Sequence, residues 1–380
     1  MEMTVLPAMP TAPIGGSFAW TAPRVLERDD WICRLDDTDI AEIEAAVAAT
    51  RARDLPIAAI TRDDFPLDRL TARLGGLRAQ IRSGLGLGYV KGLPVKRYDR
   101  ETLVRIYWGL CRHIGDPVTQ NQNGHLVGHV IDVGDTVADH NKRITQTNAE
   151  LCFHSDSCDV VALLCINRAR AGGESMIVSG VAVHDEMMHR RPDLLRDLYE
   201  PIYLDRRGEV PPGKLPWFGM PLFSWHQGLF NGYSPVRQYI ESLTRFPDAP
   251  TMSEPQREAL DLYYVICEED PFCLRLQFEP GDIQFLHNHV VFHSRTTYED
   301  APGPDRRHLM RIWLSLPDGR VLPPCFAEKW MEIEVGTRRG GVPTDAVPVI
   351  PFDPFTRAYA SSEGKSQVAG LIPGSSPGTA

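Results

Sequence analysis

Apolar residues in the first third of the chain recur three and four positions apart, the spacing of one face of a helix. The clearest series is Leu67, Leu70, Leu74, Leu77 and Ile81. A similar series from about 99 to 114 ends at Gly115-Asp116-Pro117, and Gly followed by Pro is a common helix stop. An earlier helix is predicted to begin near Asp39, because Glu42 follows three residues later as in a capping box.

Beyond residue 126 the pattern changes to short β-prone runs separated by turns, at 126–133, 150–156, 160–167 and 175–179. Helix signals return from about 181 to 270, and strand alternation resumes from 274 to 316. Strands interrupted by an insert and then resumed favour one sheet structure over two domains in series. The prediction is an α+β fold with a double-stranded β-helix (jelly-roll) core, an N-terminal helical layer and a helical insert between the two groups of strands.

The same pattern divides the chain into three parts. Residues 1–25 are rich in Pro, Ala and Thr and are predicted to form a flexible N-terminal arm. Residues 26–335 are predicted to form a single domain that includes the insert at about 181–270. Residues 336–380 form a C-terminal extension, and its last 20 residues are rich in Ser, Gly and Pro, which is typical of disorder.

Composition narrows the classes of function. The net charge is −10 and basic residues are scattered, so we expect no nucleic-acid partner. No apolar run approaches the roughly 18 residues of a membrane span, and the N-terminus lacks a signal-peptide pattern. The eight cysteines contain no Cys-x-x-Cys pair, which favours reduced thiols in a cytoplasmic protein. The sequence leaves open whether the protein forms a homo-oligomer.

The segment Phe153-His154-Ser155-Asp156-Ser157 is the first candidate for chemistry. On a strand, alternate residues point the same way, so His154 and Asp156 would project together with Cα atoms about 6.6 Å apart. His293 is the best third ligand, although His287 and His289 crowd the same stretch. Two His and one carboxylate form the facial triad of non-haem iron(II) oxygenases, which leaves coordination positions open.

Two arginines downstream strengthen this interpretation. Arg307 lies fourteen residues after His293, and Arg311 lies four residues further on. On a strand these two positions face the same side, and the flanking residues Leu309 and Trp313 argue against a fully exposed pair. Two buried guanidiniums would be costly without anionic partners, so an acidic ligand is expected there.

These residues together resemble the taurine dioxygenase and clavaminate synthase superfamily (TauD/TfdA family) of iron(II)/2-oxoglutarate enzymes over roughly residues 87 to 316. The resemblance is carried by His154-x-Asp156, Gly172-Gly173-Glu174-Ser175, Gly281-Asp282 through Asn288 to His293, and Arg307 with Arg311. It implies that His154, Asp156 and His293 bind Fe(II). It also implies that Arg307 and Ser175 hold the distal carboxylate of the co-substrate 2-oxoglutarate, and that Arg311 holds an acidic group of the primary substrate.

Four further residues are candidates for substrate binding. Gln120 lies in a polar loop after the third predicted helix, and Gln146 and Asn148 precede the metal strand. Arg237 lies in the insert, a region that often covers the metal in such enzymes. Packing or solvation explains each of the four at least as well, and no catalytic residue is predicted beyond the metal centre.

The predicted function is an Fe(II)- and 2-oxoglutarate-dependent dioxygenase that uses O2 to oxidise a small carboxylate or amino-acid-like substrate. Hydroxylation with release of succinate and CO2 is the expected outcome, and desaturation or ring closure is the alternative with the same cofactors. From a different class, a zinc-dependent hydrolase or lyase could use the same triad. The Arg307 and Arg311 pair favours the oxygenase, because a hydrolase needs no dicarboxylate clamp.

Overall fold

The computed structural model describes residues 9–134, 147–352 and 354. Its helices are α1 (Ala22–Leu26), α2 (Asp37–Ala52), α3 (Asp68–Ser83), α4 (Arg100–Arg112), α5 (Gly180–Arg190), α6 (Pro192–Leu195), α7 (Arg237–Glu241), α8 (Glu254–Glu268) and α9 (Ala327–Trp330). Its strands are β1 (Ile32–Arg34), β2 (Leu87–Lys91), β3 (Asp116–Val118), β4 (Gly128–Val130), β5 (Leu151–His154), β6 (Val160–Asn167), β7 (Ala171–Gly172), β8 (Ser175–Ser179), β9 (Ile202–Asp205), β10 (Trp217–Met220), β11 (Phe223–His226), β12 (Leu229–Gly232), β13 (Leu274–Leu276), β14 (Ile283–His287), β15 (Val291–Arg295), β16 (Tyr298–Glu299) and β17 (His308–Ser315).

Two sheets form the centre of the fold. The larger sheet has the strand order β1-β2-β14-β6-β17-β3, with β4 also paired to β17, and the smaller has the order β13-β8-β15-β5. Successive residues of β6 alternate between two cores: Leu163 belongs to the core shared with the smaller sheet, whereas Leu164 packs against the N-terminal helices. The larger sheet is therefore buried on both faces, by helices on one side and by the smaller sheet on the other.

The N-terminal helices form as the periodicity predicts. Leu70, Leu74, Leu77 and Ile81 of α3 are all buried. Helix α2 begins three residues earlier than expected from Asp39, because Asp36 is the N-cap and shares a capping box with Asp39. The mixed α and β architecture expected from sequence is thus observed.

The insert differs from the helical segment predicted for residues 181–270. It is helical at both ends, but its centre consists of two antiparallel hairpins, β9 with β10 and β11 with β12. The β11–β12 turn places Gln227 and Gly228 at φ 49° and 76°, the backbone that a tight two-residue hairpin requires. The aromatic residues on these strands, such as Phe223 and Phe230, favour β structure, whereas the prediction for this segment rests on its helix signals alone.

Both terminal segments are packed on the domain where they are described. In the segment expected to be a loose arm, the backbone N–H groups of Ile14 and Gly15 donate to the Asp185 carboxylate, each at 2.8 Å. In the C-terminal extension Arg339 is 1% exposed and lies deep in the core. No helix of the described residues has the length and apolarity to cross a bilayer.

The buried histidines lead us to predict that the stability of the fold depends on pH. Among the described residues, burial lowers the pKa of six imidazoles below 6.5, and for His293 and His308 to about 3; the six are His113, His154, His287, His289, His293 and His308. The unfolded chain takes up these protons near pH 6.5, whereas the folded chain does not. The neutral buried histidines therefore contribute fully to the free energy of unfolding above pH 6.5, and this contribution is lost as the pH falls. We expect the free energy of unfolding of the metal-free protein to drop between pH 7 and 5, by about 1 kcal/mol per pH unit for each proton.

Denaturant titrations at several pH values check this expectation. A free energy of unfolding that stays constant from pH 7 to 5 would contradict it.

Candidate metal centre

The two sheet strands β5 and β15 bring the predicted histidines together. These strands are antiparallel neighbours, and His293 lies directly opposite His154 in their register. Asp156 is not on the strand, as the alternation argument assumed, because β5 ends at His154 and Asp156 lies in the loop that leads to β6. The loop is held by Asn288, whose Oδ1 accepts the backbone N–H of Asp156 at 3.1 Å.

The three side chains converge closely enough to bind one ion. The ring centroids of His154 and His293 are 4.2 Å apart, and one potential ligand atom from each of the three residues lies within 4.8 Å of the others. All three side chains are buried. His287 and His289, the other candidates, do not join this cluster; Nε2 of His289 instead donates to the Asp159 carboxylate at 2.9 Å.

The electrostatics suit metal binding. Desolvation lowers the pKa of His154, and desolvation together with the neighbouring His154 lowers the pKa of His293 to about 3. Both imidazoles are therefore neutral at physiological pH, which is the form that binds metal. Nδ1 of His154 donates to the carbonyl of Cys152 at 3.0 Å, so its Nε2 carries the free lone pair.

Arg311 is held against the carboxylate of the triad. Its Nη1 donates to Asp156 Oδ1 at 3.2 Å, and its Nε donates to Gln120 Oε1 at 2.8 Å. The Gln120 amide in turn donates to the carbonyl of Arg311 at 2.8 Å. Gly128 on the neighbouring strand leaves room for the Gln120 side chain, since a Cβ at position 128 would lie 2.8 Å from Gln120 Oε1. The Gln120 side chain thus contacts both the side chain and the backbone carbonyl of Arg311.

A cavity of about 460 Å³ lies on one side of the triad, and we call it the inner cavity. It is lined by the three triad residues and by Val130, Leu151, Leu163, Ser175, Phe278, Ser294, Arg295, Arg307, Leu309 and Arg311. Arg307 is buried, and its Nη1 has no hydrogen-bond partner among the described residues. Gly173, at φ 72°, lets the chain pass close to this guanidinium, because a Cβ there would lie 3.1 Å from Arg307 Nε. Ser175 Oγ is within 3.1 Å of the Gln284 amide.

Arg295 is a third buried guanidinium in the lining of the inner cavity, besides Arg307 and Arg311, and the sequence reasoning missed it. Its Cζ lies 4.7 Å from the Tyr298 ring centre, and that of Arg307 lies 5.0 Å from the same ring. Desolvation and the charge of Arg307 lower the pKa of Arg295 to about 10. The sequence could have indicated this position, because Arg295 lies two residues after His293 on the same strand and therefore faces the same side.

A second cavity, which we call the outer cleft, also adjoins the triad and has a volume of about 660 Å³. It shares His154, Asp156 and Arg311 with the inner cavity. Its other lining residues are Leu151, Ser155, Ser157, Asp205, Arg206, Glu209, Phe218, Tyr233, Val236, Tyr239, Trp313 and Lys329. The insert supplies many of these residues and so forms one wall of the cleft.

Three of the other sequence candidates stand apart from both cavities. Asn148 is exposed, and its carbonyl accepts the N–H of Tyr298 at 3.4 Å. Arg237 pairs with Asp261 at 3.0 Å and packs over the Tyr264 ring. Gln120 is buried beneath Arg311 and does not line either cavity. Gln146 lies outside the described residues.

Comparison with known proteins agrees with this site. The family profile described as "Taurine catabolism dioxygenase TauD, TfdA family" matches residues 51–313. The chain belongs to the TauD, TfdA family. Membership, together with the His-Asp-His cluster, confirms the predicted class: an iron(II)- and 2-oxoglutarate-dependent dioxygenase.

Relatives extend the match over most of the chain. FR-33289 synthase from Streptomyces rubellomurinus (strain ATCC 31215) is 29% identical over 329 residues, 84% of this chain and 95% of that one. Two solved structures share the fold. Asparagine oxygenase, in complex with Fe(II), 2S,3S-3-hydroxyasparagine and succinate, has a TM-score of 0.57 at 18% identity, covering 75% of this chain and 93% of the other. The non-haem iron oxygenase OrfP, in complex with Fe and α-ketoglutaric acid, has a TM-score of 0.53 at 15% identity, covering 75% and 94%.

We expect His293→Ala to weaken Fe(II) binding by about 100-fold or more, because the variant lacks one of the three predicted ligands. Anaerobic titration with Fe(II) measures the change. His189→Ala is the control, since His189 is exposed on α5 and lies outside the cluster. Equal Fe(II) affinity in the two variants would exclude His293 as a ligand.

Proposed function

We propose that this dioxygenase hydroxylates a small carboxylate or amino-acid-like substrate, on a double-stranded β-helix core. The observation that carries the proposal is that His154 and Asp156 of the triad line two cavities at once. The inner cavity is also lined by the buried guanidiniums of Arg295 and Arg307, and the outer cleft is also lined by residues of the insert. An enzyme that must hold a co-substrate and a substrate at one metal needs two such spaces.

In this proposal His154, Asp156 and His293 hold Fe(II), and the donor set fits the ion because two neutral imidazoles and a carboxylate are its preferred facial ligands. When bound, iron, 2-oxoglutarate and O2 supply the oxidising chemistry, with succinate and CO2 as products. The inner cavity takes 2-oxoglutarate. Arg307 binds its distal carboxylate in a bidentate fork, and Ser175 adds a hydroxyl donor.

Arg307 is buried and has no ion-pair partner among the described residues. A guanidinium in a low-dielectric cavity is costly unless an anion compensates it. Each hydrogen bond between charged partners contributes roughly 1.5–3 kcal/mol, which is enough to fix the orientation of a small diacid. A zinc hydrolase acting through a metal-bound water would have no use for this cation, so the inner cavity favours the oxygenase over that alternative.

The outer cleft takes the primary substrate. Arg311 lies at its metal end, with its guanidinium fixed by Gln120 and stacked 4.8 Å from the Trp313 ring centre. A guanidinium in that position would bind an acidic group and direct a nearby C–H bond toward the metal. Asparagine oxygenase, whose structure was solved with a hydroxylated amino acid, shares the fold and is consistent with an amino-acid-like substrate.

Anaerobic addition of Fe(II) and 2-oxoglutarate should produce a weak visible charge-transfer band. We expect Arg307→Ala to raise the concentration of 2-oxoglutarate needed for half of this band by roughly 10- to 100-fold, since about 1.4 kcal/mol corresponds to tenfold. Arg306→Ala is the matched control, because Arg306 is adjacent, does not line the inner cavity and donates to the backbone carbonyls of Gly303 and Asp132. An unchanged requirement in Arg307→Ala would assign the co-substrate to another cation.

A panel of amino acids and small organic acids, each tested for substrate-dependent succinate release, should identify the substrate class. We expect acids to stimulate release and their uncharged amides or esters to do so at least about tenfold less, because a neutral analogue offers Arg311 no acidic group to bind. Mass analysis of the product then distinguishes hydroxylation, a gain of one oxygen, from desaturation or ring closure, a loss of two hydrogens. Equal stimulation by acids and neutral analogues would remove Arg311 from substrate recognition.

A further inference from the structure

The chain that follows the last strand, β17, returns to the metal centre. Residues 339–349, which we call the C-terminal strap, lie beyond the end of the family match at residue 313. Residues 155–159, which we call the metal loop, join β5 to β6 and include Asp156. Arg339 at the start of the strap is 1% exposed, and its partner Asp159 at the end of the metal loop is fully buried.

The Arg339 guanidinium is bonded through all three of its nitrogens. Its Nε lies 3.2 and 3.1 Å from Oδ1 and Oδ2 of Asp159, and its Nη2 donates to Oδ1 at 2.9 Å. Nη2 also donates to the carbonyl of Arg320 at 2.8 Å, and Nη1 donates to the carbonyl of Ile333 at 3.0 Å. These bonds fix the plane of the guanidinium and with it the position of the Asp159 carboxylate, and a lysine could not reproduce them.

The backbone of the strap bonds to the metal loop directly after Asp156. The N–H of Gly341 donates to the carbonyl of Ser157 at 2.6 Å. Gly340 has φ 82°, and a Cβ there would lie 3.0 Å from the same carbonyl, so glycine allows the strap to approach the loop this closely. The strap therefore holds the metal loop both at Ser157 and at Asp159.

The strap also bonds to the segment 119–126. The N–H of Val342 donates to the carbonyl of Thr119 at 2.9 Å, and the Thr119 hydroxyl donates to the carbonyl of Val342 at 2.8 Å. Val349 forms a second pair of backbone bonds, each at 2.8 Å, with the far end of the same segment. The strap is therefore anchored at two points that do not belong to the metal loop.

These contacts form a closed ring around Asp156. In one direction Asp156 accepts from Arg311, which is held by Gln120 of the segment 119–126. In the other direction the metal loop connects Asp156 to the strap, which in turn is bonded to the segment 119–126. A carboxylate that is held from both directions loses little conformational freedom when it binds a metal ion, because its position is set before the ion enters.

We propose that the C-terminal strap is part of the metal centre, and that Arg339 is a positioning residue that acts through Asp159 to hold Asp156 in place for Fe(II). This rests on the proposed function, in which Asp156 is a metal ligand. Residues that orient a ligand without touching the metal typically contribute about 10- to 100-fold to metal affinity. The chain beyond the family match is thus required for tight iron binding.

Anaerobic titration with Fe(II), in competition with a chromophoric chelator, tests the proposal. We expect Arg339→Gln to weaken Fe(II) binding by about 10- to 100-fold while the protein remains folded. Asp159→Asn should have a similar effect, and it keeps the test available if Arg339→Gln fails to fold. Because Arg339 acts through Asp159, the double variant should bind Fe(II) about as weakly as either single variant, and the two losses should not multiply.

Two control variants separate positioning of Asp156 from a general loss of stability. Arg338→Gln removes the adjacent guanidinium, which donates to the carbonyl of Pro117 on β3. Leu74→Ala opens a cavity among the N-terminal helices, where Leu74 is 1% exposed, and so lowers the free energy of unfolding. We expect both control variants to bind Fe(II) as tightly as the wild-type protein.

Wild-type affinity for Fe(II) in folded Arg339→Gln and Asp159→Asn would overturn the proposal, and so would losses that multiply in the double variant. An equal loss in Arg338→Gln or Leu74→Ala would also overturn it, because the effect would then follow charge or stability in general. Asp156→Ala distinguishes this failure from failure of the proposed function. If Asp156→Ala weakens Fe(II) binding and Arg339→Gln does not, the role of the strap alone is refuted, whereas wild-type affinity in Asp156→Ala refutes the proposed metal site as well.

Discussion

The antiparallel pairing of β5 with β15 is the constraint on which the site depends. It sets His154 opposite His293, two residues that are 139 positions apart by their numbers, and it fixes the distance between their rings. In an antiparallel ladder a shift of one residue would turn one imidazole to the other face of the sheet. The cluster therefore exists only while this register is kept, and the buried core on both sides of the sheets keeps it.

The carboxylate of the triad is positioned by the loop that follows β5. Asn288 accepts the backbone N–H of Asp156 at the start of this loop. At its end Asp159, fully buried, accepts from His289, from Arg339 and from the backbone N–H of Leu316. Removing one partner from a buried ionic network leaves an uncompensated charge, which typically costs about 3–5 kcal/mol. The C-terminal segment that carries Arg339 thus stabilises the loop that carries the metal-binding carboxylate.

The two cavities beside the triad are lined by buried, positively charged side chains. Arg295, Arg307 and Arg311 line the inner cavity, and Arg206 lines the outer cleft. Of these, Arg311 donates to the Asp156 carboxylate. Arg295 contacts backbone carbonyls and an aromatic ring, and Arg206 contacts backbone carbonyls, an aromatic ring and the half-exposed Glu328 carboxylate at 3.5 Å. Such cations are stabilised when acidic ligands enter, which connects the charge of the cavities to the proposed substrates.

The sequence by itself determined the features that depend on local periodicity. The helical stripe of α3 and the shared parity of Arg307 and Arg311 on β17 are properties of neighbouring residues, and the residue types of the triad already indicated the metal. Tertiary structure decided the features that depend on distant partners. Gln120 contacts Arg311, 191 positions away, and Arg339 contacts Asp159, 180 positions away. No local pattern encodes such pairs, because which side chains meet is set by how the two sheets and the insert pack, and burial then selects the partners that compensate each charge.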